Sequence, residues 1–250
     1  MAADDYLRGL LNTHAVDIAN AQAAGKVLAP VIERWSNGQL VSAEFSGSMA
    51  KGTGISLSTD ADIFISLTST TGGTLKDIYD TLANAVAAAG YPSRKQDVSI
   101  GTTVGGYSID LVPGRRQSQY GNEHSLYRNR TGTWTKTDVK AHIAFVSNSG
   151  RTEEIRILKM WRTRHGLRFP SFFLELATID VLNYARHGQL SDNVWRVLQY
   201  FRDSIGTARL IDPANTNNVV SDDCSAAEKN AIAYKAHESL GKKTWNEIVW

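Results

Sequence analysis

The sequence predicts an α+β protein in two parts, a mixed sheet-and-helix half (residues 1–135) followed by an all-helical half (136–250). Three observations predict it. Residues 4–36 carry one hydrophobic stripe at helical spacing. Several segments between 40 and 112 alternate with a period of two, and from Thr137 onward the period is helical almost throughout.

The elements follow in order. Leu7, Leu11, His14, Ile18, Ala21, Gly25, Leu28, Ile32 and Trp35 step alternately by four and three, which predicts a long N-terminal helix over 4–36 that braces both halves. Pro30 should kink or divide it, and Asn37-Gly38 ends it as a turn. A strand over 40–46 leads into a Gly47-Ser48 turn. The next strand, ending near 65, places Ala61, Ile63 and Ile65 on one face and Asp60, Asp62 and Phe64 on the other. Thr71-Gly72-Gly73 breaks the chain before a helix over 74–89 that stops at Gly90. Strands over about 94–100 and 105–112 are joined by a 101–106 loop, and the second carries Asp110 among apolar neighbours. Residues 114–135 read as a polar crossing loop. Helices are expected near 137–148, 151–165, 171–186, 191–205 and 226–241, with 206–225 as a loop.

Composition narrows the class. With 42% hydrophobic and 21% charged residues, the chain is of ordinary soluble globular type. It opens without a basic start and apolar run, and no stretch approaches the ~20 apolar residues of a membrane span, so a cytoplasmic protein with no membrane partner is expected. The single cysteine, Cys224, excludes internal disulfides and a Cys-based zinc site. No two of the six histidines stand at metal-ligand helical spacing. Overall charge is only +2, yet residues 115–168 hold twelve Lys and Arg against four acids. That concentration suits a triphosphate or a short nucleic acid.

The chemistry points to the acids. Carboxylates crowded on one strand face repel, and a divalent cation is the usual remedy. Asp110 lies on a strand able to pair beside the Asp60/Asp62 strand. Three carboxylates converging at a sheet edge can hold two Mg²⁺ ions about 4 Å apart. Such an arrangement stabilises the charge that develops in phosphoryl transfer.

The spelling Gly47-Ser48, eleven residues, Asp60-Ala61-Asp62, then Ser108-Ile109-Asp110 resembles the signature of the DNA polymerase β-like nucleotidyltransferase superfamily. The fuller string Gly47-Ser48-x-x-Lys51-Gly52-Thr53 is similar to the CD-NTase and oligoadenylate synthetase branch, which includes cyclic GMP-AMP synthase. Further resemblance lies in Trp134 with Thr137-Asp138 and His142, where Val139 replaces the family's proline. It continues in ILKMWRTRHGLRFPSFFLEL (157–176), LIDPANTNNV (210–219) and KKTWNEI (242–248), so it covers essentially the whole chain.

The resemblance implies a polymerase β-like core over 1–135 and a C-terminal helical bundle. It implies that Asp60, Asp62 and Asp110 are catalytic and bind two Mg²⁺, with Mn²⁺ as a possible substitute. Gly47 and Ser48 would hold the triphosphate at a helix N-terminus. Lys51, Lys159 and Ser171 would contact phosphates, and Phe172, where relatives often have Tyr, would stack on a base. For Ser171, helix N-capping just after Pro170 is the structural alternative.

The implied function is a Mg-dependent nucleotidyltransferase that joins nucleoside triphosphates, ATP among them, with release of pyrophosphate. Its product would be a cyclic di- or trinucleotide, or a short oligonucleotide, that signals through a downstream effector in bacterial anti-phage defence. Nucleic acid would not be required. Two alternatives stand beside it: an RNA 3′-end nucleotidyltransferase using the 115–168 basic segment, and a non-catalytic nucleotide-binding regulator. A Walker A loop is excluded because Lys51-Gly52-Thr53 reverses the required Gly-Lys order, and no Rossmann glycine fingerprint or kinase motif pair occurs.

Overall fold

The computed structural model describes residues 2–58 and 60–250. The chain packs as two compact units that interleave in sequence. One comprises Met1–Val16, Gly52–Ser58 and Ala144–Trp250, and the other Asp17–Lys51 and Thr59–Ile143.

The N-terminal stripe forms three helices rather than one: α1 (Ala3–Thr13), α2 (Ile18–Lys26) and α3 (Ala29–Ser36). The first break is capped by Asp17, whose carboxylate accepts from the Asn20 amide and starts α2. The second break falls just before Pro30, as expected: α2 ends at Lys26, four residues upstream, whose carbonyl the proline cannot bond. Pro30 itself sits in the first turn of α3, where its missing N–H has no partner to lose within that helix. Asn37 then takes the left-handed conformation (φ 46°), and the Asn-Gly turn ends the helix as expected. The stripe is continuous because both halves of the segment bury an apolar face. Leu7 and Leu11 of α1 join the core of the helical unit, and Ala21, Ala24, Leu28 and Ile32 join that of the sheet unit.

The sheet unit continues with β1 (Leu40–Phe45), the single-turn α4 (Gly47–Ala50), β2 (Ala61–Leu67), α5 (Leu75–Ala88), β3 (Arg94–Lys95), β4 (Ile100–Val104), β5 (Tyr107–Arg116), β6 (His124–Arg128) and β7 (Thr133–Thr137). The main strand order is β1-β2-β5-β4-β3, with β6 and β7 extending from the far end of β5. β2 and β5 run parallel and the other pairs antiparallel, so the sheet is mixed. Ala61, Ile63, Ile65 and Leu67 of β2 are buried with Ile109 and Leu111 of β5 in a core shared with α2, α3 and α5. The alternation of β2 therefore leaves Asp62, Phe64 and Ser66 on the opposite face.

Two sequence expectations change here. The 101–106 loop is mostly strand: β4 reaches Val104, and only Gly105 and Gly106, both at positive φ (57° and 86°), make the two-residue turn into β5. A type I′ hairpin turn requires that pair of angles. Residues 114–135 are likewise not a plain crossing loop, because β5 runs on to Arg116 and β6–β7 form a hairpin. His124 and Leu126 supply its buried face, a pattern masked in the sequence by polar neighbours.

The helical unit contains α6 (Val139–Ser147, which begins in the sheet unit), α7 (Thr152–Arg164), α8 (Ser171–Val181), α9 (Leu190–Asp203) and α10 (Ala226–Leu240). The expected 206–225 loop holds a small hairpin, β8 (Ile211–Asp212) and β9 (Asn215–Val219), flanked by short 3₁₀ turns. The core centres on Trp161, whose indole N–H donates to Ser239 Oγ at 2.9 Å, with Phe173 and Phe201 also fully buried. Among the described residues no helix is long and apolar enough to cross a membrane.

Candidate active site

Two of the three acids stand side by side. In the parallel β2–β5 register Asp62 lies directly opposite Asp110. Asp60 is the exposed residue just before β2 begins, so the strand starts one residue later than expected, runs on to Leu67, and leaves this acid outside the ladder.

The Gly-Ser turn is built against Asp62. The Ser46 amide donates to the Asp62 carbonyl at 2.8 Å, tying the end of β1 to β2. Gly47 has φ +59°, and a Cβ there would stand 1.7 Å from Asp62 Oδ2 and 2.4 Å from its Cγ. No other residue fits. Gly47→Ala is expected to displace the Asp62 carboxylate, adding about 1–2 kcal/mol of left-handed strain and reducing product formation roughly 100-fold, the usual consequence of a 1 Å misplacement. Steady-state product assays beside thermal melts check it. A variant with wild-type activity would show that the close approach is irrelevant.

Asp110 is half-buried and held by residues that sequence reasoning did not single out. Gln96 Nε2 donates to its Oδ1 at 2.9 Å and Ser99 Oγ to its Oδ2 at 3.4 Å, while the same Ser99 hydroxyl also lies 3.1 Å from Gln96 Oε1. Tyr79 braces this turn from beneath, its hydroxyl donating to the carbonyls of Gln96 (2.7 Å) and Ser99 (3.1 Å). Burial pushes the Tyr79 phenol up to about 12, so it remains a donor. Gly101 pairs with Asp110 across β4–β5, and a Cβ on it would meet Gln96 Nε2 at 2.5 Å and Asp110 Oδ1 at 3.2 Å.

Burial raises the Asp110 carboxyl above its ordinary value, and the negative charge of Asp60 adds to the rise. Hydrogen bonds from Ser99 and Gln96 and the charge of Arg94 oppose it. Asp110 thus feels Asp60 as well as standing opposite Asp62. Among the described residues no three His, Cys, Asp or Glu side chains are already drawn together as a metal cage. The donors are all hard carboxylate oxygens, and glycine backbone at Gly47 and Gly101 leaves room beside both strand acids. Such a set fits Mg²⁺, which binds through one or two carboxylates plus substrate phosphates rather than in an all-protein cage.

The remaining expected site residues have other placements. Ser48 lies half-buried in α4, and Lys51 caps that helix, its amide bonding back to the Gly47 carbonyl at 3.2 Å. With only one turn, α4 offers local N–H groups rather than the dipole of a long helix.

Lys159, Ser171 and Phe172 belong to the helical unit. The Lys159 ammonium is buried, donating to Glu175 Oε1 at 2.6 Å and Thr53 Oγ1 at 2.8 Å, while Thr53 Oγ1 donates to Glu175 at 3.0 Å. Thr53 of the Gly47–Thr53 string and Lys159 and Glu175 of the 157–176 motif therefore meet in one polar node. Ser171 is the first helical residue of α8 and not its cap, a position that falls to Pro170. Its hydroxyl instead accepts from Arg162 at 3.1 Å. Phe172 is half-buried, packed against the helical core.

The basic 115–168 stretch is divided between the two units, and many of its cations are engaged. Arg115 donates to Thr71 and Gly73 carbonyls, Lys136 pairs with Glu123, Arg128 and Arg130 with Asp97, and Arg151 with Glu154. Arg156 donates to the carbonyls of Leu11 and Gly54. A cavity of about 30 Å³ further along the Asp62 face of β2, beside Ser66 and His124, has room for a water or two but not for a base.

No protein-family model and no curated protein matches the sequence. Solved structures do. A CdnC of E. coli MS115-1 described with ATP is 19% identical with a TM-score of 0.79, over 96% of this chain and 90% of that one. The same protein in a CdnC:HORMA-deltaN complex gives 18% identity and 0.75, with the same coverage. The Bradyrhizobium diazoefficiens CD-NTase CdnG in complex with GTP gives 16% and 0.80, again over 96% and 90%. Along almost its whole length, the chain has the fold of CD-NTase structures.

Proposed function

We propose that this chain is a nucleotidyltransferase of the CD-NTase type, joining nucleoside triphosphates into a cyclic or short linear oligonucleotide signal. The observation that carries the reading is the in-register pair Asp62–Asp110, with Gly47 packed against one carboxylate and the Gln96–Ser99 turn holding the other. The acceptor hydroxyl attacks the α-phosphorus of a triphosphate. A new P–O bond forms, the bond to the β-phosphate oxygen breaks, and pyrophosphate leaves. Asp110, whose carboxyl burial raises above its ordinary value, would receive the hydroxyl proton. Mg²⁺ or Mn²⁺ held by Asp60, Asp62 and Asp110 would supply charge neutralisation at the α-phosphate and the leaving group. The Gly47-Ser48 turn would present N–H groups to the phosphates.

ATP and GTP, described with the two similar proteins, are the first substrates to test. We place the product in anti-phage signalling, acting on a downstream effector. Purified protein incubated with all four nucleotides and Mg²⁺ or Mn²⁺ is expected to release pyrophosphate and yield a new oligonucleotide by mass spectrometry. No pyrophosphate under any mixture would sink the catalytic reading. Nucleotide binding without product would instead favour a regulator on a catalytic fold.

A further inference from the structure

The acid pair of the sheet unit belongs to a longer row. Asp62 pairs with Asp110, Asp110 with Gly101, and Gly101 with Arg94, so one line crosses β2, β5, β4 and β3 at a single level. Residues directly opposite one another share a face, which puts Arg94 on the face of the two acids. Gly101 has no side chain, and the point where its Cβ would stand lies 3.1 Å from Arg94 Nη2 and 3.2 Å from Asp110 Oδ1. The charge of Arg94 accordingly reaches Asp110. Its neighbours are engaged: Lys95, on the other face, pairs with Asp80 at 2.7 Å, and Arg128 and Arg130 pair with Asp97. Arg94 is exposed on the edge strand β3, and among the described residues no carboxylate lies in ion-pair contact with it.

The two ends of this row differ in kind. At the Asp62 end stands the Gly47-Ser48 turn, and at the Asp110 end stands a guanidinium with no protein carboxylate to give up. On the nucleotidyltransferase reading, Asp110 takes the proton of the attacking hydroxyl, so the nucleotide that bears this hydroxyl lies towards Arg94. The anionic part of that nucleotide is its 5′-phosphate, which an arginine takes through paired N–H donors. We infer that Arg94 binds the 5′-phosphate of the attacking nucleotide and so selects phosphorylated acceptors. The acceptor's position rests on that reading; the unpaired cation in register with the acids does not.

Calorimetric titration of the full chain with linear ApA and GpG, each with and without a 5′-phosphate, in Mg²⁺ buffer tests it without turnover. Wild-type protein is expected to bind the phosphorylated form of one or both about 10-fold more tightly, as a charge-assisted contact should give. Arg94→Gln should lose most of that gap with an unchanged melt, since the side chain is exposed, and Arg94→Lys should fall between. Lys95→Gln, on the other face, should keep the full gap, which separates a directed contact from general attraction of charge. An edge cation that served only to discourage strand pairing would leave the gap untouched when replaced. Failure of both dinucleotides to bind, equal affinity for the two forms, or a gap that survives in Arg94→Gln would each overturn the assignment. An Arg94-dependent gap in a protein that never releases pyrophosphate would leave it standing and remove only the catalytic reading.

Discussion

Asp62→Asn is expected to abolish nucleotidyl transfer while leaving the protein folded. Asn has nearly the same shape, so the β2–β5 ladder that pairs position 62 with Asp110 is kept. What is lost is one negative charge from a site whose work is electrostatic. Removing even a single preorganised polar contact from such sites costs on the order of 10²–10³-fold, and a charged member of the acid pair should cost at least that. Relief of repulsion between neighbouring carboxylates should leave the melting temperature unchanged or slightly raised. Pyrophosphate release and circular dichroism melts read the two halves of the expectation. More than a tenth of wild-type turnover in Asp62→Asn would show that the acid pair is not the reacting centre.

Glu175→Ala should have the largest effect on stability. Lys159 and Glu175 have side chains only 3% and 1% exposed, and their 2.6 Å ion pair is completed by the Thr53 hydroxyl. Removing the carboxylate leaves an ammonium in a dry core, which typically costs about 3–5 kcal/mol. For a protein of this size, that corresponds to a melting point lower by roughly 10 °C. The double variant Lys159→Met/Glu175→Leu removes both charges and should recover most of the loss, since apolar replacement of a whole buried pair is often neutral. Denaturant titration distinguishes the cases. If Lys159 served chiefly to contact phosphate, Glu175→Ala would scarcely change stability, and Lys159→Met would show itself only in nucleotide affinity.

Much of the fold could be read from periodicity. The inward face of β2, the apolar side of α5 and the five C-terminal helices lie where alternation or helical spacing put them, because each buries one continuous face. The same rule misread the N-terminus, whose single stripe serves two different cores. It also hid β4 and the β6–β7 hairpin, since glycine and polar residues obscured their alternation. The acids were legible as chemistry: carboxylates on strands are costly, and Gly47 announces a turn. Their supports were not. Gln96 and Ser99 meet Asp110 through a hairpin whose register cannot be counted from a linear chain, and Lys159 meets Thr53 from 106 residues away.

By itself the sequence determined which residues carry charge, which faces are apolar, and therefore the α+β class and the acids at its centre. Only the tertiary structure decided that Asp62 faces Asp110, that Asp60 stands outside the strand, that Lys159 is consumed by Glu175, and that Arg94 stands in register with both strand acids. Periodicity specifies a face, whereas a partner across a strand or between helices depends on register and packing that the whole chain sets together.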